Sequence, residues 1–434
     1  MKFSPAKTLI LFFFGLIAAG TAFLSLPAAH SFSKFSFITN LFTSVSAVCV
    51  TGLSVVNIGE YYSNFGQIII LILTQLGGLG YMFVSTVITL LLGKMALKDR
   101  RIMQELFDVA SFKGLKYLLS KAVIFVLGIE LFGAVVLTLI FLQDFSFLRA
   151  IYLGIFHSIT AFCNAGFSIF GDSMSRFAAN PAIIYAIAIL VILGGFGFFV
   201  IVDIYDTYKQ RRRHLSTHTK VVLSVTAIIT GIAFVLFLFS DALKGQGLFF
   251  LINNSLFQAV SGRTAGFYTV SPMLFDDFTN SLFMILMSVG AAPGSTTGGI
   301  KVTTIALVFV FIRSVLKGDE DYVLFKRRIP IHLIKKALVI FIVFFVLIAL
   351  LSLILMLQEN YLRPITVVFE VISAFATVGL SLDITSDLAL AGKIYVIIAM
   401  LTGRIGILTV LIVMVNPVAK KKNIKYPEGR ILVG

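Results

Sequence analysis

The chain has 434 residues, of which 59% are hydrophobic and only 13% charged, with a mean hydropathy of +1.02. Soluble domains carry about a quarter charged residues, so this composition excludes a soluble enzyme or binding module and indicates a polytopic membrane protein. A net charge of +15 would suggest nucleic acid in a soluble chain. Here the basic connections are short and split between apolar runs, which leaves membrane lipid as the surrounding partner and excludes nucleic acid.

The first apolar run, 8–27, is too long and too directly continued for a cleaved signal peptide, and reads as a retained span. The stretch SVSAVCVTGLSV then leads into Gly52, before a second apolar run at 67–93. This order recurs. Runs at 117–142 and 181–202 flank SITAFCNAGFSI around Gly166, and runs at 220–240 and 279–315 flank AVSGRTAGFYTV around Gly266. Runs at 332–357 and 394–415 flank VISAFATVGLSL around Gly379. The four glycines are spaced by 114, 100 and 113 residues. Each run has the roughly 20 residues that cross a bilayer, whereas the stretches of about 10–14 residues before each glycine suit re-entrant segments. The expected fold is all-α: eight transmembrane spans and four re-entrant pore helices, in four M1–P–M2 repeats around one axis. The expected units are 1–110, 111–215, 216–325 and 326–434, the last with the C-terminal tail.

Aligned on their glycines, the segments read Val50-Thr51-Gly52-Leu53, Asn164-Ala165-Gly166-Phe167, Thr264-Ala265-Gly266-Phe267 and Thr377-Val378-Gly379-Leu380. Non-helical backbone at membrane depth must be buried in protein or line water. Rings of backbone carbonyls replace the hydration shell of potassium in ion filters. The small or polar residues before each glycine fit inward carbonyls, and the large apolar residue after it fits a wedge behind the loop. A cation pore follows. Cys49 and Cys163 occupy equivalent places three residues before their glycines and read as packing residues.

The third unit differs. Gly290, Pro293, Gly294, Ser295, Thr296, Thr297, Gly298 and Gly299 interrupt its second span with helix breakers and hydroxyls. Lys301 follows this stretch, and Arg404 lies in GRIGILT of the fourth unit's second span. Cations at that depth face a cavity or a partner. Arg404 has donors for unpaired loop carbonyls and a charge that opposes cation passage. Glycines at similar offsets in the second spans (Gly77, Gly78 and Gly80; Gly194, Gly195 and Gly197; Gly403 and Gly406) read as close helix packing. Glu130, Glu370 and His157 read as structural, and Arg263 as bracing a filter segment from behind.

Lys and Arg concentrate in the alternate connections 94–116, 209–220, 313–336 and 420–425, while acids such as Glu60, Asp172, Asp276 and Glu359 occupy the others. The positive-inside rule then places both termini in the cytoplasm.

These residues resemble the Trk/Ktr/HKT superfamily of potassium transporters, particularly its bacterial Ktr-type membrane subunit. The resemblance spans the chain and rests on VTGL, NAGF, RTAGF, TVGL, QLGGLGYM, GSTTGGIKVTT, GRIGILT and the ending NIKYPEGRILVG. The chain begins with the first repeat, as the Ktr type does. The resemblance implies a pseudo-fourfold array, a homodimer with one pore per subunit, and K+ permeation, variably with Na+ or Rb+. It also implies a bacterial plasma-membrane location and a cytoplasmic ring of nucleotide-binding RCK-type regulatory subunits, with no nucleotide on this chain. The interrupted span becomes an intramembrane gate below the filter, and the C-terminal ending a part of the dimer interface. In the HKT branch a serine at the first filter glycine goes with Na+ preference; Gly52 is intact here. A Na+-coupled or H+-coupled K+ secondary transporter, and a Na+-permeable member of the superfamily, stay open as alternatives, although parallel repeats favour a channel-like pore. No HExxH, ligand cluster or nucleophile–base pair points to an enzyme.

Overall fold

The computed structural model describes residues 5–31, 35–92, 112–211 and 213–406. The basic residues of 94–101, Arg212, the lysines of 420–425, the NIKYPEGRILVG ending and residues 407–409 of GRIGILT lie outside these. The described chain is almost entirely helical, and its elements recur as long helix, short helix, long helix.

The first unit comprises α1 (Pro5–Leu24), the short α2 (Phe37–Cys49), a single turn α3 (Ile58–Tyr61) and α4 (Asn64–Leu92). The second comprises α5 (Phe112–Phe141), α6 (Phe147–Phe162) and α7 (Pro181–Tyr208). In the third, α8 (Thr217–Phe237) and α9 (Leu248–Ser261) precede a second span split into α10 (Asp277–Ser288) and α11 (Val302–Lys317). A small hairpin of β1 (Val323–Leu324) and β2 (Arg327–Arg328) leads into the fourth unit. That unit comprises α12 (Ile331–Gln358), α13 (Pro364–Phe375) and α14 (Leu390–Ile405).

Local chemistry sets the helix starts. Asn180 caps α7 ahead of Pro181, and Asp276 caps α10 through Thr279. The Thr279 hydroxyl holds the Asp276 carboxyl below its ordinary range. Helix α6 has 16 residues, longer than expected, because its first turn, with exposed Phe147 and Leu148, extends beyond the packed interior.

Among the described residues five helices, α1, α5, α7, α8 and α12, are long and apolar enough to cross a membrane. The remaining second spans are shortened: α4 kinks at Gly80, the third unit carries the loop, and α14 is described only to Ile405. The outer helices α5, α8 and α12 expose Phe132, Ile228, Leu353 and Leu357, a surface suited to lipid, whereas the short helices are mostly buried. This is the inside-out burial pattern of a multi-pass membrane protein. The units close a circle. The second span of each packs on the short helix of the next: α4 on α6, α7 on α9, α10 on α13, and α14 back on α2.

Candidate functional site

The short helices end in one shared turn. The residue two before each glycine adopts a left-handed conformation, with φ of 58° at Val50, 56° at Asn164, 72° at Thr264 and 52° at Thr377. The glycines also have positive φ, 93° at Gly52, 66° at Gly166, 77° at Gly266 and 95° at Gly379, while the residue between stays negative. In a regular strand successive carbonyls alternate sides. Alternating the sign of φ removes that alternation and lets them converge. Left-handed geometry is costly for β-branched residues, about 1–3 kcal/mol each, and persists where the surroundings impose it. Val50, Thr264 and Thr377 are all β-branched.

Backbone hydrogen bonds impose it here. Thr51 donates to the Ser46 carbonyl, Ala165 to Thr160 and Val378 to Ser373, each at 2.8 Å. With the bonds of 3.0–3.1 Å from Val50, Asn164 and Thr377 to the carbonyls three residues back, these are Schellman turns. The third segment differs, Ala265 donating to Ser261 at 3.0 Å.

The four glycines meet in cyclic order. A Cβ built on Gly52 would strike the Ala165 carbonyl and lie 3.1 Å from the Gly166 Cα; one on Gly166 would lie 2.9 Å from the Gly266 Cα. One on Gly266 would strike the Val378 carbonyl, and one on Gly379 would strike the Thr51 carbonyl, 3.1 Å from the Gly52 Cα. Only glycine fits each corner, on φ and on space. Leu53, Phe167, Phe267 and Leu380 are buried behind the ring. The hydroxyl oxygens of Thr51, Thr264 and Thr377 are buried without a hydrogen-bond partner among the described residues. Buried polar atoms in native proteins are normally satisfied, and an orphan calls for an explanation, of which a water, an ion or local strain are the usual ones.

Side chains brace these turns. Ser46 Oγ accepts from the Gly52 N–H and Ser373 Oγ from the Gly379 N–H, both at 3.1 Å. His157 reaches Ser168 at 3.2 Å, and at the same offset Glu370 accepts from Ser381 at 2.7 Å and from Thr385. Glu130 accepts both oxygens' bonds from the Gln75 amide at 2.8–2.9 Å. Cys49 and Cys163 are buried and unbridged. The serine braces escape the sequence because a serine on a pore helix carries no distinctive pattern; only their identical offset of six residues from glycine marks them. Replacing Ser46 and Ser373 together by Ala should lower K+ over Na+ preference several-fold at unchanged protein yield, measured as competitive ion uptake. An unchanged preference would show that these hydroxyls do not set the ring.

The second-span glycines divide into two roles. A Cβ on Gly77, Gly194 or Gly403 would land on the carbonyl of Val48, Phe162 or Phe375, so these glycines seat each second span on its own short helix. Three residues on, Gly80, Gly197 and Gly406 have φ of 71°, 73° and 91°, and α4 and α7 kink there. In the third unit Pro293 lies 27 residues after its glycine, the offset at which Gly406 follows Gly379, and there the chain runs into the loop instead of a kinked helix. Gly194→Ala should lower the midpoint of thermal unfolding in detergent, since overpacking against fixed backbone costs about 1–3 kcal/mol. An unaltered midpoint would contradict this seating.

The loop of residues 289–301 is tied at its base by Gly290 N–H to the Ile300 carbonyl at 2.9 Å and Ile300 N–H to Ser288 at 3.2 Å. Ala292 donates to Gly195 at 3.0 Å, and Gly294 accepts from Phe198 at 3.4 Å. Ser295 and Thr297 share a hydroxyl contact of 2.9 Å, and Lys301 donates to the Thr297 carbonyl at 2.5 Å. The loop lies against the ring: Asn164 donates to the Thr296 hydroxyl at 3.0 Å, and a Cβ on Gly298 would strike the Thr377 hydroxyl. Gly299 has φ of 66° at the turn out of the loop. Arg404 donates to the Thr296 carbonyl and, at 2.5 and 2.9 Å, to the Gly77 and Gly78 carbonyls at the kink of α4. It thus joins units one, three and four. Arg263 bonds Thr230 at 3.1 Å and the Gly290 carbonyl at 3.2 Å, so it grips the loop as well as flanking its own segment.

A family model described as TrkH, cation transport protein, matches residues 8–426. The chain is 34% identical to the potassium/sodium uptake protein NtpJ of Enterococcus hirae, over all of this chain and 98% of that protein. It is also 34% identical to Ktr system potassium uptake protein B of Bacillus subtilis, with 100% and 98% covered. The crystal structure of the potassium transporter TrkH from Vibrio parahaemolyticus shares the fold, at a TM-score of 0.73 and 20% identity over 95% of this chain and 85% of that one.

Proposed function

Because the chain belongs to the TrkH family of cation transport proteins, we propose that it takes up potassium through a pore lined by its four glycine segments. The single observation that carries this reading is the cyclic meeting of Gly52, Gly166, Gly266 and Gly379. Alternating φ in every segment supports convergent carbonyls, and the unpartnered hydroxyls of Thr51, Thr264 and Thr377 support oxygen ligands for a dehydrated cation. Four units of like order, with boundaries near 110, 215 and 325, supply one corner each. The loop from Gly290 to Lys301 closes the path beneath the ring, held by Arg404.

In this reading the protein lies in a bacterial plasma membrane with both termini cytoplasmic, and works as a homodimer. A cytoplasmic RCK-type ring would release the loop, in keeping with a relative named as part of a Ktr system. Sodium enters as a second cargo on the name of the potassium/sodium relative. The test is uptake of K+ and Na+ into liposomes holding the purified chain, with and without a candidate ring. Regulated K+ uptake is expected. Absence of K+ uptake under both conditions overturns the proposal.

A further inference from the structure

We propose that Arg263 couples the glycine ring to the intramembrane loop, so that an ion held by the ring alters the stability of the loop. The inference rests on the reading of the ring as an ion filter. Arg263 immediately precedes Thr264, the left-handed residue of the third segment, and is only 7% exposed. No carboxylate among the described residues lies within ion-pair distance of it. Its guanidinium instead bonds the Gly290 carbonyl, where α10 ends and the loop begins, and the Thr230 hydroxyl on α8.

This differs from the hold exerted by Arg404. Arg404 grips the loop's middle from a helix that carries no filter segment near it in sequence. Arg263 grips the loop's base from the residue adjoining a segment, so Gly290 and Thr264 move together or their link breaks. The base is a sensitive place to pull. A Cβ on Gly290 would strike the Gly298 carbonyl, so Gly290 is wedged against the far limb of the loop.

A cavity of about 20 Å3 adjoins this contact, lined by Asn164, Gly195, Thr226, Thr230, Arg263 and Ala291. Arg263 Nε, Asn164 Oδ1 and Thr226 Oγ1 have no partner among the described residues. The cavity meets the size and polarity that one buried water requires. A water there would bridge Arg263 to Asn164, whose side chain donates to the Thr296 hydroxyl of the loop. Two of the four ring segments therefore reach the loop through this corner.

Coupling of this kind is reciprocal: whatever the loop does to ion affinity, the ion does to loop opening. The test is amide hydrogen exchange of residues 289–301 in the full chain, in K+ and in choline, with K+ uptake measured on the same preparations. In the unaltered protein K+ should slow exchange of the loop about five-fold or more, the lower bound of typical site-to-site coupling. Arg263→Gln should abolish the difference between the two ions. Arg404→Ala should raise exchange in both ions while keeping their ratio. If Arg263→Gln raises exchange equally in both ions and the ratio survives, Arg263 is merely structural and the inference falls. Should that variant not fold, Thr230→Val decides: a reduced ratio supports the coupling, and an unchanged one overturns it. An unaltered protein that takes up no K+ removes the filter reading itself, whereas intact uptake with an ion-insensitive loop removes only the coupling.

Discussion

Gly52→Ser is expected to cut the preference for K+ over Na+ by roughly tenfold, the factor that about 1.4 kcal/mol represents. Two independent costs converge at this corner. With φ of 93°, Gly52 occupies a backbone conformation that L side chains avoid, and any Cβ there meets the Ala165 carbonyl of the neighbouring segment. The substituted corner has to displace that carbonyl or move itself. Either outcome spoils one quarter of the proposed filter, a ring whose oxygens would stand in for water around an ion. Because each glycine leans on the next segment rather than its own, the damage passes across a unit boundary. The measurement is competitive uptake of the two ions into liposomes, and an unchanged ratio would remove Gly52 from the filter.

Arg404→Ala is expected to raise K+ flux in the absence of any regulatory ring by about tenfold or more. The guanidinium bonds three carbonyls: Thr296 in the loop and Gly77 and Gly78 at the kink of α4. Bonds to a charged donor contribute roughly 1.5–3 kcal/mol each, so losing even one loop contact frees the loop appreciably. The same change removes a positive charge beside the proposed ion path. Shortening the loop by deleting Gly294 to Gly298 should act in the same direction. Flux that stays wholly dependent on the regulatory ring in both variants would contradict a holding role for Arg404.

How far the site is legible in the amino-acid sequence depends on which atoms carry it. Glycines are legible because they are used where no other residue fits, and the recurrence of Gly52, Gly166, Gly266 and Gly379 every 100–114 residues singles out the corners that meet in the structure. The interrupted span is legible for the same reason: a proline and four glycines crowded between Gly290 and Gly299 are at odds with a continuous helix. Arg404 stands out because a cation in an apolar run demands a partner, although its bonds to the kink of α4 depend on three units meeting.

The left-handed turns were not legible. Val50, Thr264 and Thr377 favour extended backbone by local preference, and only the tertiary setting holds them at positive φ. Likewise Gly77 and Gly80 look alike in sequence, yet one seats a helix and the other bends it. Arg263 reads as a brace for its own segment because its second partner, the Gly290 carbonyl, is a backbone atom 27 residues away. Backbone carbonyls have no signature in composition or spacing.

The central claim is that four glycine segments hold a potassium-like ion on their common axis. A crystal or cryo-EM structure of the protein in Rb+, with the heavier ion located by its anomalous or difference signal, tests this most directly. The account predicts peaks enclosed by residues 50–52, 164–166, 264–266 and 377–379. A map with the segments well ordered and no ion among them would contradict it.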